Sequence, residues 1–384
     1  MPAFQGSLQI QNNLREISDN NGQTMTLMNL GAPSITSLTD STFSPSFSAT
    51  NVQSLNGGQL AGYRNIIING SCSIAQRGPV TWTAGTLGYS GPDRYYAVNE
   101  GTGTFTQSQG TITYGGLTYY SVTQTVNTAA TTFATTDYWL GISQRIEGYN
   151  AYPLLGNSVT VSFIFNTNMT GTYSVALRDV PGTNSFVTTF VATANTPAYI
   201  TIPIAPLPTY LGVLNTNVAG LQISIGGQST GTFETSTLNQ WASGNYFAAT
   251  GSTIWGMTVG AYISVTNLQL EIGTVATPFE NRGIGQEFQL CQRYYEVGDE
   301  PFFYIGTTDV YTTAAYDEVS FKVQKRVIPT MTTATWTYFD AGQNAAFTPT
   351  MSGVTPYRFG FMGTGLTNWN GWTGGGTWTA SAEL

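Results

Sequence analysis

Histidine is absent from this chain of 384 residues, and only two lysines and two cysteines occur in it. Without histidine there is no Ser-His-Asp or Cys-His catalytic site and no histidine-ligated zinc, so most familiar hydrolase mechanisms are excluded. Cys72 and Cys291 are far apart in sequence and neither belongs to a CxxC pair. We therefore expect two buried free thiols, with no metal or redox centre.

Charged residues are scarce as well, at 8% of the chain against roughly 25% in an ordinary soluble domain. The net charge of -8 argues against a nucleic-acid partner. No stretch approaches the roughly 18 apolar residues of a membrane span, and the first residues, MPAFQGSLQIQNN, lack the basic and apolar regions of a signal peptide. We expect a protein that is neither exported by a signal peptide nor inserted in a membrane, and that binds no cofactor.

What the chain does contain is typical of a folded, turn-rich β protein: 13% aromatic residues, 44 glycines and an apolar content of 41%. Apolar residues alternate in three segments and predict strands with one buried face: Val159, Val161, Phe163 and Phe165; Ile200, Ile202 and Ile204; Leu221, Ile223 and Ile225. Pro203 predicts an edge strand, because proline donates no ladder hydrogen bond.

In the segment AYISVTNLQLEIG the apolar residues change phase, from odd positions up to Val265 to even positions from Leu268 to Ile272. A β-bulge near Thr266 and Asn267 would repair this change of phase. Because no amphipathic helices intervene between the strands, we expect an antiparallel sandwich or jelly roll of about 200 residues. A β-helix is disfavoured, since no short fixed repeat is present.

One helix is indicated, starting after Gly285, with Phe288, Leu290, Cys291, Tyr294 and Tyr295 on its apolar arc and Gln289, Gln292 and Arg293 on the other side. We interpret it as a connector that seals the sandwich. The predicted organisation has three parts: an extended N-terminal segment and linker at 1–64, a jelly roll at 65–282, and the connecting helix with a small C-terminal β domain at 283–384. In that last part Val319, Phe321 and Val323 alternate with polar residues as a strand would.

Three segments carry a resemblance to a known family: NIIINGSCSIAQRG at 65–78, VTNLQLEIGTVATPFENR at 265–282 and LCQRYYEV at 290–297. Together with DRYY at 93–96, QRIEG at 144–148 and the ending ASAEL, they resemble the C-terminal portions of tailed-phage tail fibres and other virion appendage proteins. In the family the first segment is an opening strand, and a tryptophan often stands where this chain has Tyr95 and Tyr96. The resemblance covers about residues 65–298.

The resemblance implies a carbohydrate-binding-module-like jelly roll that attaches a virion to a host-surface glycan without enzymatic activity. It also implies a homotrimer. Residues 1–64 lie outside the resemblance; their polarity and glycines predict a segment that anchors the protein to other virion proteins, with simple disorder as the alternative. The missing signal peptide favours a particle assembled in the host cytoplasm, and we expect the protein on its tail or capsid exterior. Two alternatives stay open. The protein is a capsid-mounted fibre or a decoration or adaptor protein that binds only other virion proteins, or it is a glycan-degrading depolymerase.

A depolymerase needs two carboxylates at a glycosidase separation. The best candidates lie in EVGDEP: Glu296, Asp299 and Glu300, with Asp309 or Asp317 as additions. We expect this segment to be a solvated loop, and no EF-hand spacing indicates Ca²⁺ there.

Two further pairs of opposite charge, Asp93 with Arg94 and Arg145 with Glu147, are interpreted as structural pairs that hold strand ends in register. Gln76, Arg77 and Gly78 are expected to end the first strand.

Candidate glycan-contact residues lie in the aromatic and glycine-rich segment from Tyr357 to the end of the sequence. Aromatic rings stack on the apolar faces of sugars, and amides bond to their hydroxyl groups. The candidates are Trp369, Trp372, Tyr357 and Asn370. Trp378 is expected to belong to the core instead, because large aromatic residues are usually buried.

Overall fold

The computed structural model describes residues 64–304, 314–340, 343–364 and 372–384. All of them belong to one compact unit. The N-terminal segment, Trp369 and Asn370 lie outside the described residues, so the predictions made for them stay predictions.

Strands dominate the first 200 or so described residues, as the alternating patterns predict. In chain order they are β1 (Val80–Trp82), β2 (Thr86–Tyr89), β3 (Tyr95–Asn99), β4 (Thr104–Tyr114), β5 (Leu117–Thr128), β6 (Tyr138–Trp139), β7 (Ile142–Glu147), β8 (Val159–Thr167), β9 (Gly171–Asp179), β10 (Asn184–Ala192), β11 (Ala198–Ile204), β12 (Ala219–Ile225), β13 (Gln228–Ser229), β14 (Glu234–Thr235), β15 (Trp241–Ser243), β16 (Ala248–Ala249) and β17 (Tyr262–Ile272). A one-turn helix α1 (Gly148–Ala151) follows β7.

The second part starts with helix α2 (Ile284–Gln292) and continues with shorter sheets. Its strands are β18 (Tyr295–Tyr304), β19 (Ala314–Ser320), β20 (Thr330–Thr333), β21 (Trp336–Asp340), β22 (Gln343–Phe347), β23 (Thr350–Ser352), β24 (Arg358–Thr364) and β25 (Trp372–Ser381). They form a five-stranded sheet, in which β18, β20 and β21 all pair with β25, and a three-stranded sheet β19-β24-β23.

Two antiparallel sheets form the main sandwich. One has six strands in the order β1-β4-β5-β17-β8-β11, and the other runs β13-β6-β3-β7-β12-β9-β10-β15 with β2 paired to β3. The alternating residues of β8, β11 and β12 line the core between them, which also holds Trp139 and Trp255. This arrangement confirms the mainly β fold with an antiparallel sandwich, and Pro203 lies on edge strand β11 as predicted.

The predicted bulge in β17 is confirmed. The pairing of β17 with β8 shifts register between Thr266 and Gln269, and Asn267 adopts a positive φ of 51°. Asparagine tolerates this left-handed conformation better than most residues. Leu268 and Leu270 are consequently buried, whereas Ile272 at the end of the strand is exposed.

The opening strand expected at 65–78 is wrong: within residues 64–79 the chain forms turns and irregular backbone. There, asparagine side chains make the hydrogen bonds that a neighbouring strand would otherwise make. The Asn65 Oδ1 accepts from the amides of Ile67 and Leu270, and the Asn69 side chain bonds to the backbone N–H and the backbone oxygen of Ile74. Side chains that bond to nearby backbone in this way compete with regular strands.

The predicted helix is present as α2, with three corrections. It begins at Ile284, one residue before Gly285, and Gln292, assigned to the polar side, is buried. Cys291 and Tyr294 pack against Ile68 and Ile74, which lie in the irregular segment before β1, in a small cluster apart from the main core. Tyr295 is already the first residue of β18.

In the C-terminal sheets the strand predicted around Val319 ends at Ser320, so Phe321 and Val323 lie beyond it. Phe321 is buried nonetheless and contacts the rings of Phe359 and Trp378. Trp378 is 1% exposed, which confirms it as a core residue.

Candidate functional site

Of the sequence-predicted glycan residues, Tyr357 is the one whose side chain is described. It is 61% exposed, and its hydroxyl accepts a hydrogen bond from the Gln324 amide at 3.2 Å. Trp372 begins β25, opposite Tyr304. The described residues bring no other predicted glycan residue next to Tyr357.

The EVGDEP segment is a strand, β18, where a solvated loop was expected. Glu296 is fully buried and accepts a hydrogen bond from the buried ammonium of Lys325. Burial lowers the pKa of Lys325, and the Glu296 carboxylate opposes that shift. Because a carboxylate held in this way is occupied, Glu296 is a poor candidate for a glycosidase acid or base.

In the two charged motifs, Asp93 with Arg94 and Arg145 with Glu147, the acidic and basic residues do not form an ion pair with each other. Asp93 accepts hydrogen bonds from the backbone and side-chain amides of Gln76, and Arg94 forms an ion pair with Glu383. Glu383 also binds Arg77 at 2.9 Å. Burial raises the pKa of Asp93, while Gln76 and Arg77 oppose the shift. These residues therefore fasten the last residues of the sequence to the sandwich, which is a structural role with partners that the sequence did not indicate.

Strands β7, β12 and β9 are neighbours, and the residues on their side away from the main core make the strongest candidate site. Arg145 lies opposite Gln222, which in turn lies opposite Arg178. Tyr96 on β3 and Tyr138 on β6 belong to a second apolar cluster, apart from the main core, in which Tyr96 is buried and Tyr138 is partly buried. Gln222 is buried as well. We call the set Tyr96, Tyr138, Arg145, Arg178 and Gln222 the arginine–tyrosine face.

Hydrogen bonds fix most of these side chains in place. Arg178 donates to the side-chain oxygens of Asn245 and of Gln222, the latter at 2.7 Å, and Gln222 donates to Ser143 Oγ at 2.7 Å. The guanidinium of Arg145 stacks 4.0 Å from the centre of the Tyr96 ring.

The Nη1 of Arg145 donates to an oxygen of Leu384, the last residue of the sequence, at 2.8 Å. Side chains held by several partners lose little further entropy when a ligand binds.

The face carries the positive charge of two partly buried arginines. Burial, the largest cause, and the nearby charge of Arg145 together lower the pKa of Arg178 to about 10, while Tyr138 and Asp179 oppose the shift. Burial also raises the pKa of Tyr138, with a contribution from Glu100. Both arginines and Tyr138 are only partly buried, so their remaining surface is open to solvent.

Aromatic rings beside amide and guanidinium donors suit a sugar, which presents apolar ring faces and hydroxyl groups. Tyr138 packs 4.6 Å from Phe233 and 4.8 Å from Phe247, ring centre to ring centre. Sequence inspection missed this set. The available signal was the alternation itself: Arg178 follows buried Val175 and Leu177 at odd spacing, which places its side chain on the opposite face.

Within the described ranges, no three acidic or cysteine side chains come together to hold a metal ion. Both cysteines are buried and free, as expected, and burial raises the pKa of the Cys72 thiol to about 12. None of the described helices is long and apolar enough to cross a membrane.

No model of a known protein family matches the chain, and no curated protein matches it. Among solved structures, a CBM4 structure has 16% identity and a TM-score of 0.28, covering 53% of this chain and 98% of that one. The family 11 carbohydrate-binding module of a Clostridium thermocellum cellulase has 12% identity and a TM-score of 0.24, covering 55% and 96%.

The tripod from the baseplate of bacteriophage Tuc2009 has 13% identity and a TM-score of 0.22, covering 65% and 81%. At these TM-scores the likeness supports no statement about ligands.

Proposed function

We propose that this protein is a non-enzymatic glycan-binding protein whose binding surface is the arginine–tyrosine face. The observation that carries the proposal is the placement of Tyr138, Arg145 and Arg178, all partly exposed, on the side of the large sheet that lies away from the main core, above the buried Tyr96 and Gln222. Such a face supplies ring stacking from tyrosine and hydrogen bonds from fixed donors, which are the two contacts that a sugar requires.

The sequence resemblance supports a proposal about the biological setting of this binding. We propose that the protein is a virion appendage, a phage tail fibre or a similar attachment protein, that recognises a host-surface glycan and is held to other virion proteins by residues 1–64. The motif residues Arg94 and Arg145 support the binding surface, because Arg94 donates to the backbone oxygen of Arg145 at 2.9 Å.

Binding is tested on an array of immobilised microbial surface polysaccharides with the full chain. We expect binding to at least one polysaccharide, and loss of that binding in Tyr138→Ala. Tyr357→Ala is the matched control, since it removes a tyrosine that the sequence favoured but that lies outside the face. Thermal unfolding of both variants separates lost recognition from lost folding.

The binding assay has three informative outcomes. Loss of polysaccharide binding in a correctly folded Tyr138→Ala variant supports the arginine–tyrosine face as the binding surface. Loss in Tyr357→Ala or in the double variant Trp369→Ala/Trp372→Ala, with Tyr138→Ala unaffected, overturns the face in favour of the C-terminal segment. Binding to no polysaccharide on the array overturns glycan binding and favours the alternative of an adaptor that binds only virion proteins.

The depolymerase alternative is tested by incubating the protein with a bound polysaccharide and measuring reducing ends, whose sustained release would contradict the non-enzymatic proposal.

The proposed homotrimer raises avidity by linking several weak sites. Mass photometry that finds only monomers at micromolar concentration would contradict it. Deletion of residues 1–60 should abolish incorporation into particles, and cryo-electron microscopy of the intact particle distinguishes tail from capsid.

A further inference from the structure

A cavity of about 240 Å³ lies where two segments that are far apart in sequence meet. One wall comes from the irregular backbone before β1, and the other from the residues between β17 and helix α2 together with the first turn of that helix. Asn281 and Ile284, which line the cavity, are exposed, so the cavity opens to solvent. Drug-sized ligands occupy pockets of roughly 300–1,000 Å³, and this smaller cavity suits a ligand of one ring.

Hydrogen bonds hold the inner wall of the cavity in a fixed shape. The backbone N–H of Asn65 donates to Glu280 Oε2 at 2.6 Å, and Asn65 Nδ2 donates to the backbone oxygen of Leu268 at 3.0 Å. A Cβ on Gly70 would lie 2.1 Å from that same oxygen, so the close approach of the two segments requires glycine there. A cavity that is already formed needs little further ordering when a ligand binds.

The charged side chains of the wall are paired with one another. Arg282, whose side chain is 5% exposed, lies 3.2 Å from an oxygen of Glu287 and 3.7 Å from an oxygen of Glu280. Its Nη1 also donates to the backbone oxygen of Ile67 at 3.1 Å. One guanidinium against two carboxylates leaves a negative balance, which disfavours an anionic ligand.

Hydroxyl and amide groups of the lining are only partly used by the fold. Ser71 Oγ and Ser73 Oγ lie 3.0 Å apart and share one hydrogen bond, so one proton of the pair is left to donate to a ligand or to water. Both serines are partly exposed. The exposed side chain of Asn281 makes no hydrogen bond to another residue within the described ranges. The cavity therefore offers donors and acceptors without an unbalanced positive charge.

Two apolar side chains line the same cavity. Phe279 is partly exposed and Ile284 is 63% exposed. Neither belongs to the apolar clusters that the described residues form. An aromatic ring outside the core, next to hydroxyl and amide groups, provides the two kinds of contact that a sugar requires: stacking on its apolar ring face and hydrogen bonds to its hydroxyl groups.

We propose that this cavity binds one uncharged sugar residue at the end of a glycan chain or branch, with Phe279 against the sugar ring and Ser71, Ser73 and Asn281 bonded to its hydroxyl groups. The end of a chain is expected because a cavity that holds one ring has no room for further residues on both sides of it. The cavity shares no residue with the arginine–tyrosine face, so this inference goes beyond the proposed function and is tested separately from it.

The test measures binding of free monosaccharides to the full chain by saturation-transfer NMR. The probes are glucose, galactose and mannose, each with its uronate, and N-acetylglucosamine and rhamnose as further neutral sugars. We expect saturable binding of at least one neutral sugar at millimolar concentrations. The uronates should bind roughly tenfold more weakly than that sugar, because the wall has a negative balance of charge.

Phe279→Ala should weaken binding of the neutral sugar by about tenfold, because the stacking surface is lost. Val275→Ala is the matched control: it shortens a side chain that is 53% exposed in the same connecting segment but does not line the cavity, and the affinity should stay within about twofold. Ser73→Phe fills the cavity and should abolish binding. Thermal unfolding of each variant verifies folding.

Saturable binding of no neutral sugar overturns the proposal, and so does equal binding of the uronates. An equal loss in Phe279→Ala and Val275→Ala also overturns it, because the loss would then not come from the cavity. Tyr138→Ala should leave monosaccharide binding unchanged. If Tyr138→Ala abolishes that binding instead, the sugar binds at the arginine–tyrosine face, which overturns the cavity and supports the proposed function.

The polysaccharide array distinguishes failure of the cavity from failure of the proposed function. Polysaccharide binding without any monosaccharide binding overturns the cavity and leaves the arginine–tyrosine face standing. Monosaccharide binding that is lost in Phe279→Ala, with polysaccharide binding that Tyr138→Ala does not change, overturns the face and supports the cavity.

Discussion

Glu147 and Arg293, 146 positions apart in sequence, form a bidentate ion pair with oxygen–nitrogen distances of 2.6 and 3.0 Å. The hydroxyl of Tyr294 adds a third hydrogen bond to the same carboxylate, at 2.5 Å. Glu147 ends β7 in the large sheet, and Arg293 follows helix α2. This one carboxylate therefore ties the connector to the sandwich.

We predict that Glu147→Gln lowers the free energy of unfolding by about 2–3 kcal/mol, because it breaks a mostly buried pair and leaves donors unsatisfied. Glu318→Gln is the control, since Glu318 and Arg358 form an ion pair with both side chains more than half exposed. There we expect a change within about 0.5 kcal/mol. Urea unfolding measures both, and equal losses would contradict the role assigned to Glu147.

The contact between β18 and β25 leaves no space at Gly298. A Cβ on Gly298 would overlap the indole of Trp378, which lies opposite it in the pairing. Gly298→Ala should therefore destabilise the protein by about 2 kcal/mol.

Gly285→Ala provides the contrast: it is a helical position where no heavy atom lies within 4 Å of the added carbon, and a gain of about 0.5 kcal/mol is expected from helix propensity. Thermal unfolding that shows no difference between the two variants would refute the close packing at Gly298.

The turn after β9 depends on the charge of Asp179. Burial alone would raise the pKa of this carboxyl group, but hydrogen bonds from Thr183 and Asn184 outweigh burial and lower the pKa below 3.8. A folded-state pKa below the unfolded one means that the ionised form stabilises the fold. The contribution is present above pH 3.8 and is lost as the pH falls through the folded-state pKa.

Asp179→Asn should therefore cost about 2 kcal/mol of unfolding free energy at pH 7, and the difference from the unaltered protein should narrow near pH 3. Urea unfolding at the two pH values provides the measurement. A difference that stays constant between them would mean that the charge of Asp179 is not what holds the turn.

Both thiols should react slowly in the folded protein. The rise in the pKa of Cys72 from 9.0 to about 12 lowers its thiolate fraction at pH 8 roughly a thousandfold, and burial blocks access as well. Burial also raises the pKa of the Cys291 thiol. Iodoacetamide labelling followed by mass spectrometry should modify neither thiol under native conditions and both in guanidinium chloride. Rapid native labelling of either would contradict its burial.

Local patterns in the sequence were sufficient for several elements. The alternation in β8 and β12 identified strands and the side of each that faces the main core, but not that the polar residues on the other side, such as Ser162 and Gln222, are buried too. The change of phase around Asn267 located a bulge that the register shift confirms. Both features depend on a period of two residues, which the sequence displays directly.

Other features were predicted wrongly or missed because their causes are not local. The segment at 65–78 has an apolar run typical of a strand, but Asn65 and Asn69 satisfy the backbone with their side chains. Gln292 was placed on the polar side of α2, whereas the tertiary contacts bury it.

By itself the sequence determined the class of fold, the faces of its strands and the absence of histidine chemistry, because composition and short-range periodicity act over a few residues. Only the tertiary structure decided which charges meet. Glu383 reached Arg94, Glu296 reached Lys325, and Glu147 reached Arg293. These pairings join residues far apart along the chain, and they depend on how the strands are ordered in the sheets.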